Sequence, residues 1–129
     1  MGLDMFAWRV KAEYAVSDLE IAKDENGESD HSELFYWRKH HDLHGWMERL
    51  YRAKGGTKLD FNCVPVRLTD SDLDSLLIDV VNKSLPTTTG FFFGDNPQND
   101  ESVQNDLQFI VAAKQAIKDG DAVYYDSWW

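Results

Sequence analysis

The sequence is poor in cysteine, in positive charge and in long apolar runs. Its single cysteine, Cys63, excludes an internal disulfide framework and a cysteine-rich zinc site. No apolar run approaches the roughly 18 residues that a membrane-spanning helix needs. Residues 1–6 carry neither the basic region nor the apolar core of a signal peptide. We therefore expect an intracellular protein with no membrane partner.

Positive charge is scarce and unevenly placed. Thirteen basic residues face 23 acidic ones, and the net charge of −10 disfavours direct nucleic-acid binding. Residues 37–58 nevertheless hold six cations, two carboxylates and three of the four histidines. An acidic body with one basic, histidine-rich segment favours a small anion over a polymeric one as ligand.

What the sequence has is enough apolar residues for a core. Hydrophobic residues make up 43% of 129 residues, which is typical of one folded domain. We predict a single α+β domain over residues 1–129, with about three helices packed on a small, mostly antiparallel or mixed sheet of four to five strands. Residues 17–33 are polar and acidic, and predict an exposed loop.

Hydrophobic periodicity predicts the individual elements. Alternating apolar residues indicate strands at 5–12, 62–68 and 122–129, and glycines bracket a short strand at Phe91–Phe93. Helical spacing predicts helices over 34–53, from Thr69 to 81 and over 103–117. Thr69 with Asp72 resembles a capping box. Pro65 cannot donate to a ladder, so its strand is predicted at a sheet edge.

Four separated motifs resemble a family of small bacteriophage and prophage proteins. They are Met-Gly-Leu-Asp-Met followed by an aromatic residue (1–6), Tyr-Trp-Arg-Lys leading to His-x-Trp (36–46), Pro-Thr-x-Thr-Gly-Phe-Phe-Phe-Gly (86–94) and a C-terminal Tyr-Tyr-x-Ser strand closing in Trp (124–129). Where the family often has Ala-Asn-Gln, this chain has His40-His41-Asp42.

The resemblance implies a phage origin and action in the host cytoplasm. Some members carry the label phosphoglycerate kinase. This chain is too short for a two-domain kinase and lacks a glycine-rich loop followed by Lys and Ser or Thr. The resemblance therefore supplies provenance and no reaction.

Trp37, Arg38, Lys39 and His44 form the first candidate ligand-binding group. Arg grips phosphate or carboxylate with a planar fork, Lys adds a mobile charge, and Trp offers a stacking face. A helix starting early would put Trp37 and His44 on one face. A later start would put Arg38 and Lys39 near a helix N-terminus, which also attracts anions. The structural alternative is that the indoles are core and the cations solvated.

Thr88 and Thr89 form the second candidate group, since hydroxyls and backbone N–H groups before Gly90 can wrap an oxyanion. A plain polar turn is the competing interpretation. His40 and His44 have a zinc-compatible i, i+4 spacing, but two ligands do not make a metal site. We predict no catalytic residue, metal or other cofactor.

The favoured function is a phage-encoded, non-enzymatic binder of a small anionic ligand, with a nucleotide signal of host defence as the concrete candidate. A second hypothesis is an acidic inhibitor, in which the segment Asp18–Glu33 mimics nucleic acid and binds a host defence protein. A third is a small nucleotide-processing enzyme with His44 as general base. A phage accessory protein without a ligand is the fourth. Exposed aromatics also favour self-association into a homo-oligomer.

Overall fold

The computed structural model describes residues 2–86 and 100–129. Within them the chain forms four strands, three α-helices and one short 3-10 turn. The strands are β1 (Asp4–Val10), β2 (His31–Arg38), β3 (Val66–Leu68) and β4 (Ala122–Trp128), and the helices are α1 (His41–Ala53), α2 (Asp70–Val81) and α3 (Asp100–Lys118), with the 3-10 turn at Ala12–Tyr14.

The four strands form one antiparallel sheet in the order β2-β1-β4-β3. The prediction of a small α+β domain with three helices on an antiparallel sheet is confirmed. β3 lies at an edge, as the proline before it predicted. The strand predicted at Phe91–Phe93 lies outside the described residues.

The helix predicted over 34–53 is wrong in its first part, because β2 occupies residues 31–38. Phe35 and Trp37 pair with Ala7 and Met5 of β1 and contact the core, while Tyr36 points to the opposite face. Aromatic residues at a spacing of two suit a half-buried strand. The acidic loop accordingly ends at residue 30, and α1 begins only at His41.

All three helices pack on one face of the sheet around a shared core. Thr69 caps α2 with the predicted capping box, and Leu73 and Leu76 are fully buried. In α3 the helical spacing predicts an apolar stripe of Val103, Leu107, Ile110, Val111, Lys114 and Ile117, which is partly wrong, since Val111 is 70% exposed. The buried positions are instead Asp106, Phe109, Ile110, Ala113 and Ala116. One carboxylate therefore lies on the core-facing side of α3.

On the other face of the sheet, none of the α-helices within residues 2–86 and 100–129 packs. Residues 12–21 cover one end of it, where Tyr14 and Ile21 pack on Val10 and Tyr124. The Tyr124 hydroxyl donates to the Ser17 carbonyl and ties this loop to β4. Beyond this loop the face carries the aromatic side chains Phe6, Trp8 and Tyr36 of β1 and β2.

Candidate functional site

The connection from β2 to α1 holds most of the predicted site residues. Arg38 ends β2, Lys39 takes a left-handed backbone conformation with φ of 59°, and His40 stands before the first helical residue. The Lys39 N–H donates to the Leu3 carbonyl at 2.8 Å and extends the β1–β2 ladder by one bond. This sharp turn sends Arg38 and Lys39 to the surface and His40 into the protein.

Asp106 of α3 collects two donors from this connection. Its Oδ1 accepts from the Trp37 indole Nε1 at 3.1 Å, and its Oδ2 lies 2.8 Å from Nε2 of His40. All three residues are at most 5% exposed. Buried carboxylates are costly unless donors satisfy them. The network therefore fixes the end of β2 and the start of α1 against α3.

A cavity of about 310 Å³ opens beside this network. It lies between the end of β2 and the first two turns of α3, and its lining residues are Tyr36, Trp37, Arg38, His40, Glu101, Ser102, Asn105 and Asp106. Small-molecule sites are concave and have a few polar groups that fix orientation. The volume lies at the lower end of the ~300–1,000 Å³ typical of such sites.

Arg38 supplies the cavity's positive charge. Its side chain is exposed, and no carboxylate within residues 2–86 and 100–129 forms an ion pair with it. Gly2 runs beside it, since a Cβ at Gly2 would lie 3.4 Å from a guanidinium nitrogen. The N–H groups of this planar guanidinium can therefore donate to an external phosphate or carboxylate.

Ser102, His40 and Asp106 are not arranged as a serine–histidine–aspartate relay. Ser102 Oγ lies 3.4 Å from Nε2 of His40, which is the same nitrogen that faces Asp106. A relay needs the serine and the carboxylate on opposite ring nitrogens. His40 therefore does not link the Ser102 hydroxyl to the Asp106 carboxylate through its two ring nitrogens.

His44 lies in a separate buried site, one helical turn further along α1. Its Nδ1 is 2.6 Å from the Tyr125 hydroxyl, and its ring packs 4.9 Å from the ring of Phe61. Burial lowers the pKa of His44 from 6.5 to about 4, against a backbone hydrogen bond with Phe61 that raises it. Burial also raises the pKa of Tyr125 well above its usual value. The neutral imidazole therefore accepts a hydrogen bond from the phenol hydroxyl, and it is not among the residues that line the cavity.

The predicted site residues thus divide into three groups. Trp37 and Arg38 line the cavity, although the Trp37 indole is buried on Asp106 and offers no stacking face. Lys39 is exposed at the turn and His44 is sealed in the core, and neither belongs to the lining. Thr88 and Thr89 lie outside the described residues.

Sequence reasoning missed the contribution of α3 and the role of His40 as a cavity wall. The one available signal was Asp106, a carboxylate three residues before Phe109 on the face that is buried. His40 and His44 do not converge, since they bond to Asp106 and Tyr125 respectively. In the described part of the chain no group of three metal-ligating side chains could hold an ion.

Comparisons of the chain with protein-family models, with curated proteins and with solved structures find no match. The bacteriophage resemblance therefore stays a prediction. None of the helices within residues 2–86 and 100–129 combines the length and apolar composition of a membrane span.

Proposed function

We propose that the protein is a non-enzymatic binder of a small anionic ligand, held in the cavity between β2 and α3. The guanidinium of Arg38 carries this proposal, because it lines the cavity and has no carboxylate partner in the described chain. Ser102 and Asn105 add a hydroxyl and an amide from the first two turns of α3. A charged anchor with neutral hydrogen-bonding groups around it is the usual composition of a small polar-ligand site.

A nucleotide is the ligand class that fits these groups best. Its phosphate would sit on Arg38, away from the Glu101 carboxylate, which repels it. The Trp37 indole is buried, so recognition of the base in this cavity depends on the polar groups of Ser102 and Asn105 and not on stacking. The Asn105 amide can both donate to and accept from a base edge.

The expected setting follows from the bacteriophage resemblance. A small phage protein that sequesters a nucleotide in the host cytoplasm would remove a signal of host defence without turning it over. The enzymatic alternative with His44 as base is disfavoured, because this ring is buried against Tyr125 and Phe61 and is not among the residues that line the cavity.

A thermal-shift screen against linear and cyclic nucleotides tests the proposal, with calorimetry on any hit. We expect at least one nucleotide to raise the melting temperature of the wild type, and Arg38→Ala to weaken its binding at least tenfold. Arg49→Ala is the matched control, since Arg49 is an exposed arginine of α1 outside this cavity. Flat curves for every nucleotide, or equal losses in the two variants, would contradict the proposal.

A further inference from the structure

The open face of the sheet presents stacked aromatic rings. Phe6 and Trp8 stack with ring centroids 5.3 Å apart and planes 13° apart, and Tyr36 packs on Phe6 at 5.4 Å. His31 meets the Trp8 ring edge-on at 5.2 Å. No α-helix of the described residues covers these rings; Phe6 and Trp8 are half-buried and Tyr36 is 44% exposed.

A hollow of about 430 Å³ lies between this face and the acidic loop. Its lining includes Trp8, Glu20, Lys23 and Asp126. An indole and two carboxylates thus share one concave surface, with Lys23 as the opposing charge. The hollow is distinct from the cavity at β2 and α3, since the two have no lining residue in common.

Asp126 is the unusual member of this hollow. Its carboxylate is half-buried on β4 and accepts a hydrogen bond from the adjoining Ser127 N–H at 2.7 Å. It forms no ion pair with any cation of the described chain. Burial raises the pKa of Asp126, against that N–H and Lys58, which lower it. A cation bound here would regain the free energy that burial of this carboxylate costs.

We propose that this hollow binds an arginine side chain presented by a protein partner. A guanidinium can stack on the Trp8 indole while its N–H groups donate to Asp126. Glu20, exposed on the loop, supplies a second acceptor. The net charge of −10 attracts a basic partner over a longer range, which favours this occupant over a second, equally acidic copy of the chain.

Lys23 distinguishes binding in the hollow from attraction by the overall charge of the protein. Its ammonium lines the same hollow and repels an incoming guanidinium. Arginine binding should therefore become tighter when Lys23 is replaced by Ala. If the net charge of the protein alone attracted the arginine, Lys23→Ala would tighten binding no more than Lys118→Ala.

The test is a titration of the ¹⁵N-labelled protein with the capped peptide Gly-Gly-Arg-Gly-Gly, followed by NMR. We expect saturable shifts of the Trp8 indole and the Asp126 amide, and none with the neutral citrulline peptide. Asp126→Asn should weaken binding at least fivefold and Lys23→Ala should tighten it at least twofold. Glu20→Gln, an exposed substitution that leaves the core intact, should weaken binding about twofold.

Asp74→Asn is the matched control, because Asp74 is an exposed carboxylate of α2 on the helical side of the sheet. Equal weakening by Asp74→Asn and Asp126→Asn would overturn the proposal, as would equal tightening by Lys23→Ala and Lys118→Ala. Equal binding of the citrulline peptide would also overturn it. So would shifts of the Trp8 signal that depend on protein concentration alone, which would indicate self-association.

Discussion

Two histidines one helical turn apart lie in contrasting buried environments. His40 faces the Asp106 carboxylate at 2.8 Å and forms part of a cavity wall. His44 faces the Tyr125 phenol at 2.6 Å and packs on the ring of Phe61. Both residues are 5% exposed, so the amount of burial does not separate them.

The two histidines differ in their hydrogen-bond partners and in the groups around those partners. The Asp106 carboxylate, with its two donors, forms a polar wall of the cavity. A phenol and aromatic rings form a closed environment in which only the neutral imidazole is stable. Proximity in sequence therefore does not give His40 and His44 a shared function.

The largest effect is expected from Asp106→Ala. The substitution removes the acceptor of both the Trp37 indole and His40, and breaking such a buried pair costs about 3–5 kcal/mol of unfolding free energy. Urea denaturation followed by tryptophan fluorescence measures it. Asp74→Ala on the surface of α2 is the control and should cost under about 1 kcal/mol. A loss of that small size for Asp106→Ala would contradict its role as the centre of the network.

The pH dependence of stability isolates His44. Above pH 6.5 the His44 ring is neutral in both the folded and the unfolded chain. Between pH 6.5 and 4 the ring binds a proton in the unfolded chain but stays neutral in the folded chain. With a pKa of about 4 in the folded state, the free energy of unfolding falls by about 3 kcal/mol as the pH falls from 6.5 to 4. Denaturation at a series of pH values should show the loss, and His44→Asn should reduce it. Identical slopes in the two proteins would place the titration elsewhere.

Tyr125→Phe is expected to have a smaller effect. It leaves Nδ1 of His44 buried without the phenol donor, which costs about 1–2 kcal/mol. The pH slope assigned to His44 should persist, because the ring remains desolvated. A variant as stable as the wild type would show that the hydrogen bond contributes nothing net.

The smallest effect concerns the turn that directs His40 inward. Lys39 has a φ of 59°, a conformation that costs a residue with a Cβ about 1 kcal/mol relative to glycine. Lys39→Gly should raise the unfolding free energy by about that amount. Lys83→Gly, at a φ of 53° after α2, should produce a similar gain. A destabilised Lys39→Gly with a stabilised Lys83→Gly would indicate that the Lys39 side chain makes a contact that outweighs the strain.

Much of the fold could be predicted because its signals are local. The capping box at Thr69 and Asp72 and the proline before β3 each depend on neighbours in sequence. The strand β2 could not be predicted, because its alternation of inward and outward side chains is interrupted. The register between β1 and β2 shifts between Ala7 and Trp8. Leu34 and Phe35 then read as consecutive apolar residues of a helix.

The site was less predictable, because its two halves are far apart in sequence. His40 and Asp106 meet only because α3 packs along β2, and no spacing rule encodes that. Trp37 and Arg38 were identified as candidates from residue chemistry alone. Their environments, one buried on a carboxylate and the other at the surface, depend on the alternation of β2, where the sequence pattern predicts a helix.

The most direct test of the proposed cavity is NMR mapping of a nucleotide that stabilises the protein. The Asn105 side-chain amide and the Trp37 indole N–H should shift and saturate together, while the signals of Phe61 and Tyr125 stay in place. Saturable shifts at Phe61 and Tyr125 with Asn105 unmoved would place the ligand beside His44 instead. That result would contradict the assignment of the cavity between β2 and α3 as the binding site.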